Sequence, residues 1–180
     1  PAIAGLLLLP MGVGNLIGSG WASRSIAKTG YYRWLATVGL CAFSFGFLIL
    51  YLNHQLWAVT FAAIALGFGS GLLTQFGSVV APHALGHKNR GSGSAINSFA
   101  RQLGGVLGIG ISLTAIFQLW KSHGGLTLAS LETAGNSLRN LDAATREGFV
   151  IATNNVYLVS AIALLAIALL TRWIVNERLE

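Results

Sequence analysis

Five long apolar runs constrain this chain more than any other feature of its sequence. About 20 apolar residues of helix are enough to cross the roughly 30 Å hydrocarbon layer of a bilayer. The predicted spans are residues 1–22, 33–52, 55–82, 92–120 and 147–175. The sequence therefore predicts an all-α membrane protein with five transmembrane helices.

Composition supports a membrane protein and argues against a nucleic-acid-binding one. The chain is 54% hydrophobic and 9% charged, against about 25% charged in ordinary soluble domains. The formal net charge of +6 comes from basic residues between apolar runs, where they act as topology signals. All five carboxylates lie outside the predicted membrane interior: Glu132, Asp142, Glu177 and Glu180 in loops or the tail, and Glu147 at the start of the last helix, which is expected to enter the membrane near Phe149. No predicted span therefore offers an acid for proton binding.

The residues that usually carry catalysis or metal binding are sparse. Cys41 is the single cysteine and lies within a span, which excludes an intrachain disulfide and a multi-cysteine metal site. The four histidines, His54, His83, His87 and His123, all fall in predicted connections. There is no nucleophile constellation and no phosphate-binding loop. We therefore expect no metal, no cofactor and no enzymatic activity.

Basic residues are distributed unequally between the two predicted sides of the membrane. Five spans place the 24–33 loop, the 82–90 loop and the C-terminal tail on one side, and the 53–55 and 121–146 loops on the other. By the positive-inside rule the first side is cytoplasmic. It holds eight of the eleven Lys and Arg residues: Arg24, Lys28, Arg33, Lys88, Arg90, Arg101, Arg172 and Arg178.

Local signals place the ends of the spans. An amphipathic tryptophan ring favours the membrane interface, and all five tryptophans fall at predicted span ends: Trp21, Trp34, Trp57, Trp120 and Trp173. Pro10 is expected to kink the first span, because proline removes a backbone donor and crowds the preceding turn. Asp142 is expected to cap the N-terminus of the last helix. Because the chain begins at Pro1, we also expect it to start inside a longer protein.

Small and polar residues collect on one face of three predicted helices. The first span has Gly5, Gly12, Asn15 and Ser19 on such a face. The third has Thr60, Ala63, Gly67, Ser70, Gly71, Thr74 and Ser78, and the fourth has Ser94, Asn97, Arg101, Gly104, Gly105, Gly108 and Ser112. Such faces let a second helix approach closely, and a charge there must point at protein or water.

Each polar candidate has a functional and a structural interpretation. Arg101 either faces a path or another bundle at the cytoplasmic mouth, or it extends to the lipid headgroups. Gly104, Gly105 and Gly108 are packing residues. Gln102 points about 100° away from the Arg101 face, which favours a hydrogen bond to a neighbouring helix. Cavity lining and hydrogen bonding between helices stay open for Asn15, Gln75, Asn154 and Asn155.

Three segments resemble one family of transporters. Residues 1–10, PAIAGLLLLP, resemble a Pro-x-x-Ala-Gly-Leu-x-x-Leu-Pro segment, and residues 24–33, RSIAKTGYYR, resemble a basic loop between helices. Residues 97–108, NSFARQLGGVLG, are similar to an Asn-x-x-Arg-Gln-Leu-Gly-Gly-x-Leu-Gly pattern, with one additional residue between Asn97 and Arg101. Together these segments resemble the drug:proton antiporter-2 family, the fourteen-helix branch of the major facilitator superfamily. In the loop, Arg24, Lys28, Gly30 and Arg33 match, whereas Ala27 replaces the usual Asp and Ser23 the usual Gly.

The resemblance implies a fold and an activity. The five spans align with the last five of fourteen, so residues 1–180 would be a partial C-terminal bundle of the major facilitator fold. The family exports lipophilic, often cationic compounds in exchange for protons across the bacterial inner membrane. The implied partners are the bilayer, the missing N-terminal helices, protons and a lipophilic substrate. The alternative is a non-transporting membrane subunit that assembles with other helices through its glycine faces.

Overall fold

The computed structural model describes residues 2–30, 33–53, 55–84, 90–124 and 143–171. These residues form five helices, as predicted. The helices are α1 (Ala2–Thr29), α2 (Arg33–Leu52), α3 (Leu56–Ala84), α4 (Arg90–Gly124) and α5 (Ala143–Leu170).

Four segments within these helices are long and apolar enough to cross a membrane. They are Trp34–Leu52, Leu56–His83, Gly91–Lys121 and Glu147–Leu170. The chain is therefore an all-α membrane protein. The remaining predicted span, residues 1–22, is not among the four and stays a prediction.

The predicted basic loop at 24–33 is wrong for most of its length, because α1 continues to Thr29. Arg24 and Lys28 are helical, since no glycine or proline lies between Gly20 and Gly30 and a cation is favourable near a helix C-terminus. Gly30 ends the helix with a φ of 68°, and its N–H donates to the Ile26 carbonyl at 2.9 Å. This single bond from a left-handed glycine is the αL termination motif.

Both internal prolines lie inside helices. α1 is continuous through Pro10, and the expected kink stays a prediction. α3 continues through Pro82 and ends at Ala84, so Pro82 and His83 do not begin a loop as predicted. Pro82 lies two residues before the helix end, so the hydrogen bond that it cannot donate belongs to the last turn. α4 begins at Arg90.

The long predicted loop at 121–146 is shorter at both ends. α4 extends to Gly124, four residues past the predicted end at 120. α5 begins at Ala143, four residues before the predicted start at 147. No proline or glycine lies between Gly110 and Gly124, so nothing in this part of α4 stops the helix at residue 120. Lys88, the segment 125–142 with the predicted cap Asp142, and Trp173 lie outside the described residues.

The first of two compact units contains residues 1–101 and 158–180. In it, α1 and α3 run parallel, because contacts at Met11 and Asn15 fall opposite Gly67 and Gly71 in the same order. α2 runs antiparallel to α3. One core cluster consists of the fully buried Ala22, Leu35 and Leu72, and the partly buried side chains packed against it are Ile26, Trp34, Val38, Phe68 and Phe76.

Two hydrogen bonds join α2 to the C-terminal part of α5 within this unit. Ser44 Oγ donates to the Ala161 carbonyl at 2.8 Å, and the Thr37 and Thr171 hydroxyls lie 3.0 Å apart. These helices are therefore antiparallel too. The alternating directions place the C-termini of α1, α3 and α5 at one end of the unit, together with the N-termini of α2 and α4.

The second unit, residues 102–157, contains the rest of α4 and the beginning of α5. Trp120 is 4% exposed, and its ring lies edge-on to Phe149 at 5.2 Å and stacks on Phe117 at 6.3 Å. Trp120 lies at the end of the spanning segment Gly91–Lys121, as predicted, and its ring packs between two aromatic side chains.

Candidate functional site

The seam between α1 and α3 brings two helix backbones into direct contact. A Cβ atom added at Gly67 would collide with the Met11 carbonyl oxygen, and one at Gly71 would collide with the Asn15 carbonyl oxygen. From the other side, Gly14 and Gly18 lie against the carbonyls of Ile64 and Phe68. Small residues permit this approach, and the gain is van der Waals packing along both backbones.

Asn15 and Ser70 form a polar bridge within this seam. Asn15 Nδ2 donates to Ser70 Oγ at 2.7 Å, and Ser70 Oγ donates to the Gly67 carbonyl at 2.7 Å. The bridge uses the side chain of Asn15 to tie α1 to α3. Of its two possible roles, the structure places Asn15 in helix bonding, and it lines neither of the two grooves described below.

The predicted polar face of α1 is only partly correct. Asn15 and Ser19 do face α3, but an added side chain at Gly12 would meet nothing within 4 Å. The glycines that contact α3 are instead Gly14 and Gly18. Around the helix axis they lie on the opposite side of Asn15 from Gly12. The sequence signal for this contact was the spacing of four residues between Gly14 and Gly18. The predicted face was instead the one that Asn15 shares with Gly12.

The motif on α4 is split between different environments. In the first unit, an added Cβ at Gly77 would lie 2.5 Å from Asn97 Oδ1, and one at Gly93 would lie 2.7 Å from the Ala81 carbonyl. Asn97 is therefore a packing residue against α3. Arg101, one turn further on, is exposed, and the described residues of this unit include no Asp or Glu.

The glycines of the motif lie in the second unit and face open space. Added Cβ atoms at Gly104, Gly105 and Gly108 would meet no atom within 4 Å, and Gln102 is exposed. Only 6% of the spanning part of α4 is buried. The packing role predicted for these glycines has no partner within the described residues.

The other predicted cavity residues are half-buried. Gln75 lies on α3 in the first unit and Asn154 on α5 in the second. Neither lines the two grooves described here. The basic motif residues Arg24 and Lys28 are exposed on the last turns of α1, Gly30 ends that helix, and Arg33 begins α2.

An apolar groove that the sequence analysis missed lies among α1, α2 and α3. Its volume is about 690 Å³, within the range of small-molecule pockets. Its lining includes the small residues Gly14 and Ala58 and the aromatic residues Phe45, Trp57 and Phe61. A shallower groove of about 630 Å³ on α4 of the second unit includes Gly110 and Thr114. Small residues facing aromatic ones were the only sequence signal for the first groove.

The chemistry of the site follows from these side chains. Among the described residues no group of three or more His, Cys, Asp or Glu side chains is placed to hold a metal ion. No buried side-chain nitrogen or oxygen in the described part lacks a hydrogen-bond partner. The arrangement offers helix packing, the exposed cation Arg101 inside a spanning segment, and an apolar groove.

No family model, curated protein or solved structure matches the chain. The class defined by the fold is that of a helical membrane protein with four helices long and apolar enough to cross a bilayer.

Proposed function

We propose that this chain is the C-terminal part of a secondary active transporter of the bacterial inner membrane. It exports lipophilic compounds in exchange for protons. It acts with further helices, which supply the second bundle and the proton-binding group.

One observation carries this proposal, namely the exposed Arg101 on a helix that is apolar enough to span the membrane. Arg101 lies ten residues after Gly91, the first residue of that segment, which is about 15 Å of helix. A cation facing lipid there costs up to about 2.5–3.5 kcal/mol. Facing a water-filled path or another bundle avoids this cost, and transporters provide both.

The first unit has features that a rocking bundle requires. Alternating access works by largely rigid-body movement of helix bundles around a central site. The seam between α1 and α3, with its glycine contacts and the Asn15–Ser70 bond, favours such rigidity. The apolar groove offers aromatic and aliphatic contacts to a lipophilic compound.

A second function is favoured by the open glycines on α4. Gly104, Gly105 and Gly108 have no neighbour within 4 Å, and small residues at this spacing are typical of helix association in membranes. A non-transporting subunit that docks another helix there would satisfy the same observation. The two functions differ in whether the complete assembly moves a substrate.

Efflux measurements test the proposal. We expect the complete gene product to lower the accumulation of a lipophilic cationic dye in cells lacking their own pumps, and a protonophore to abolish this effect. The 180-residue chain alone, at equal membrane abundance, should give no efflux, because the described spanning segments provide no buried acid for proton coupling. Efflux by the chain alone would contradict the proposal that further helices supply the second bundle and the proton-binding group. No efflux by the complete product would favour the subunit.

Cysteine labelling tests the topology. In a Cys41→Ser background, Lys88→Cys should react with a membrane-impermeant maleimide only when the cytoplasmic face is accessible. Leu128→Cys should react from the outside of intact cells, because the positive-inside rule puts the 24–33 and 82–90 segments in the cytoplasm. The opposite labelling pattern would reverse the proposed orientation.

A further inference from the structure

One face of α1 changes along its length from apolar to cationic side chains. At about 100° per residue, Val13, Ile17, Trp21, Arg24 and Lys28 fall within about 80° of one another. We call these five residues the α1 strip. Val13, Ile17 and Trp21 are 53%, 57% and 44% exposed, and Arg24 and Lys28 are also exposed. The described part of the first unit covers this face only in part: the Trp21 ring contacts those of Trp34 and Phe68, and Ile17 borders the apolar groove.

The depth of the α1 strip follows from its neighbours. Gly14 and Gly18, beside Val13 and Ile17, contact Ile64 and Phe68, which lie inside the spanning segment Leu56–His83. The apolar part of the strip is therefore level with a membrane-spanning part of α3.

Trp21 marks the edge of the membrane on this face. Its ring lies edge-on to that of Trp34 at 5.0 Å, and Trp34 is the first residue of the spanning segment Trp34–Leu52. Tryptophan rings favour the level of the headgroups. Arg24 and Lys28 then lie about 4.5 Å and 10.5 Å further along the helix axis, at the level of lipid phosphates.

The two cations have no opposing carboxylate among the described residues of their own unit. The bases at positions 24 and 28 are four residues apart on one helix face. Side chains at this spacing are neighbours, about 5–6 Å apart at Cβ. Together they can bind the two oxygens of one phosphate group, which is the charge they complement.

We propose that the α1 strip binds an anionic phospholipid of the surrounding bilayer. Arg24 and Lys28 bind the phosphate, Trp21 contacts the glycerol region, and one acyl chain lies along Ile17 and Val13. A lipid with a net negative charge is preferred, because the ammonium group of a zwitterionic lipid would be repelled by the same cations. This proposal does not depend on transport.

Fluorescence quenching by brominated lipids tests the proposal. The full chain is reconstituted in phosphatidylcholine nanodiscs that contain a small fraction of either brominated phosphatidylglycerol or brominated phosphatidylcholine. The Trp21 signal is obtained by subtracting the spectrum of Trp21→Phe. We expect phosphatidylglycerol to quench Trp21 at lower mole fraction, by about fivefold for each cation at low salt, and the preference to fall as ionic strength rises.

Matched variants separate a site from a general charge effect. The double variant Arg24→Gln/Lys28→Gln should remove the preference for phosphatidylglycerol over phosphatidylcholine, and Lys28→Gln alone should reduce it. Circular dichroism should show unchanged helicity in both variants. Lys121→Gln, an exposed cation on α4, removes one charge elsewhere and should leave the preference intact. Inorganic phosphate should compete only weakly, since it lacks the acyl chain.

Three results would overturn the proposal. The first is an unchanged preference in the double variant, which would leave the two cations as orientation signals. The second is an equal loss in Lys121→Gln, which would indicate net charge alone. The third is full competition by millimolar inorganic phosphate, which would indicate a site for a free anion.

Discussion

Replacing Gly67 with Ala is expected to separate α1 from α3 and to destabilise the first unit. The added methyl group would collide with the Met11 carbonyl oxygen and lie 3.0 Å from the Asn15 backbone nitrogen. These are backbone atoms, so no side chain can rotate away, and a whole helix must shift. Overpacking typically costs about 1–3 kcal/mol, and a shift here would also strain the hydrogen bond from Asn15 to Ser70.

The chain offers a matched control for this substitution on α4. Gly108→Ala introduces the same methyl group where no atom lies within 4 Å. Without a clash, Ala should keep or raise stability, because its helix propensity exceeds that of Gly by up to about 1 kcal/mol. Unfolding of the purified chain in mixed detergent micelles, followed by circular dichroism, measures both variants. Equal stability of the two variants would mean that α1 and α3 do not pack through these glycines.

Replacing Arg101 with Ala is expected to abolish most export by the complete transporter. Arg101 is exposed in the described structure and lies on a helix that is only 6% buried along its spanning part, so its partners must come from water, lipid or helices beyond the described residues. If it bonds carbonyls or polar side chains of the opposite bundle, alanine removes both the charge and the planar hydrogen-bonding group. Lysine keeps the charge and loses the planar fork, so it should restore only part of the export.

Dye efflux at matched membrane abundance is the measurement for Arg101. Lys121→Ala is the control, since Lys121 is also an exposed cation on α4 but lies at the end of the spanning segment, and its export should equal that of the unmodified protein. Wild-type export by Arg101→Ala would show that the guanidinium only extends to the headgroups. The motif would then retain a packing role alone.

The helices were predictable from the sequence because apolar length is a local property. The predicted start of the second span at 33 and its end at 52 coincide with those of α2. Errors arose where a charge or a proline was taken as a helix end. Arg24, Lys28 and Pro82 all lie inside helices, since a membrane helix can extend into the headgroup layer and beyond before a residue such as Gly30 ends it.

For the site residues, the sequence predicted which of them share a helix face, but not which faces pack against another helix. Helical periodicity correctly collected Gly67, Ser70 and Gly71 on one side of α3, and this side contacts α1. The same reasoning placed Gly104 and Gly108 on a similar small-residue face of α4. Added Cβ atoms on these two glycines would meet no atom within 4 Å in the described structure. The two patterns look alike because periodicity describes one helix, while packing is a property of two.

The sequence by itself determined that this chain is helical and apolar enough for a membrane, and where its small residues gather on each helix. Tertiary structure alone decided which faces meet, that Gly14 rather than Gly12 contacts α3, and that an apolar groove opens beside Ala58. The physical reason is that hydrophobic length and helical period are set by neighbours along the chain. Helix rotation and contact depend instead on how backbones of distant segments fit against one another.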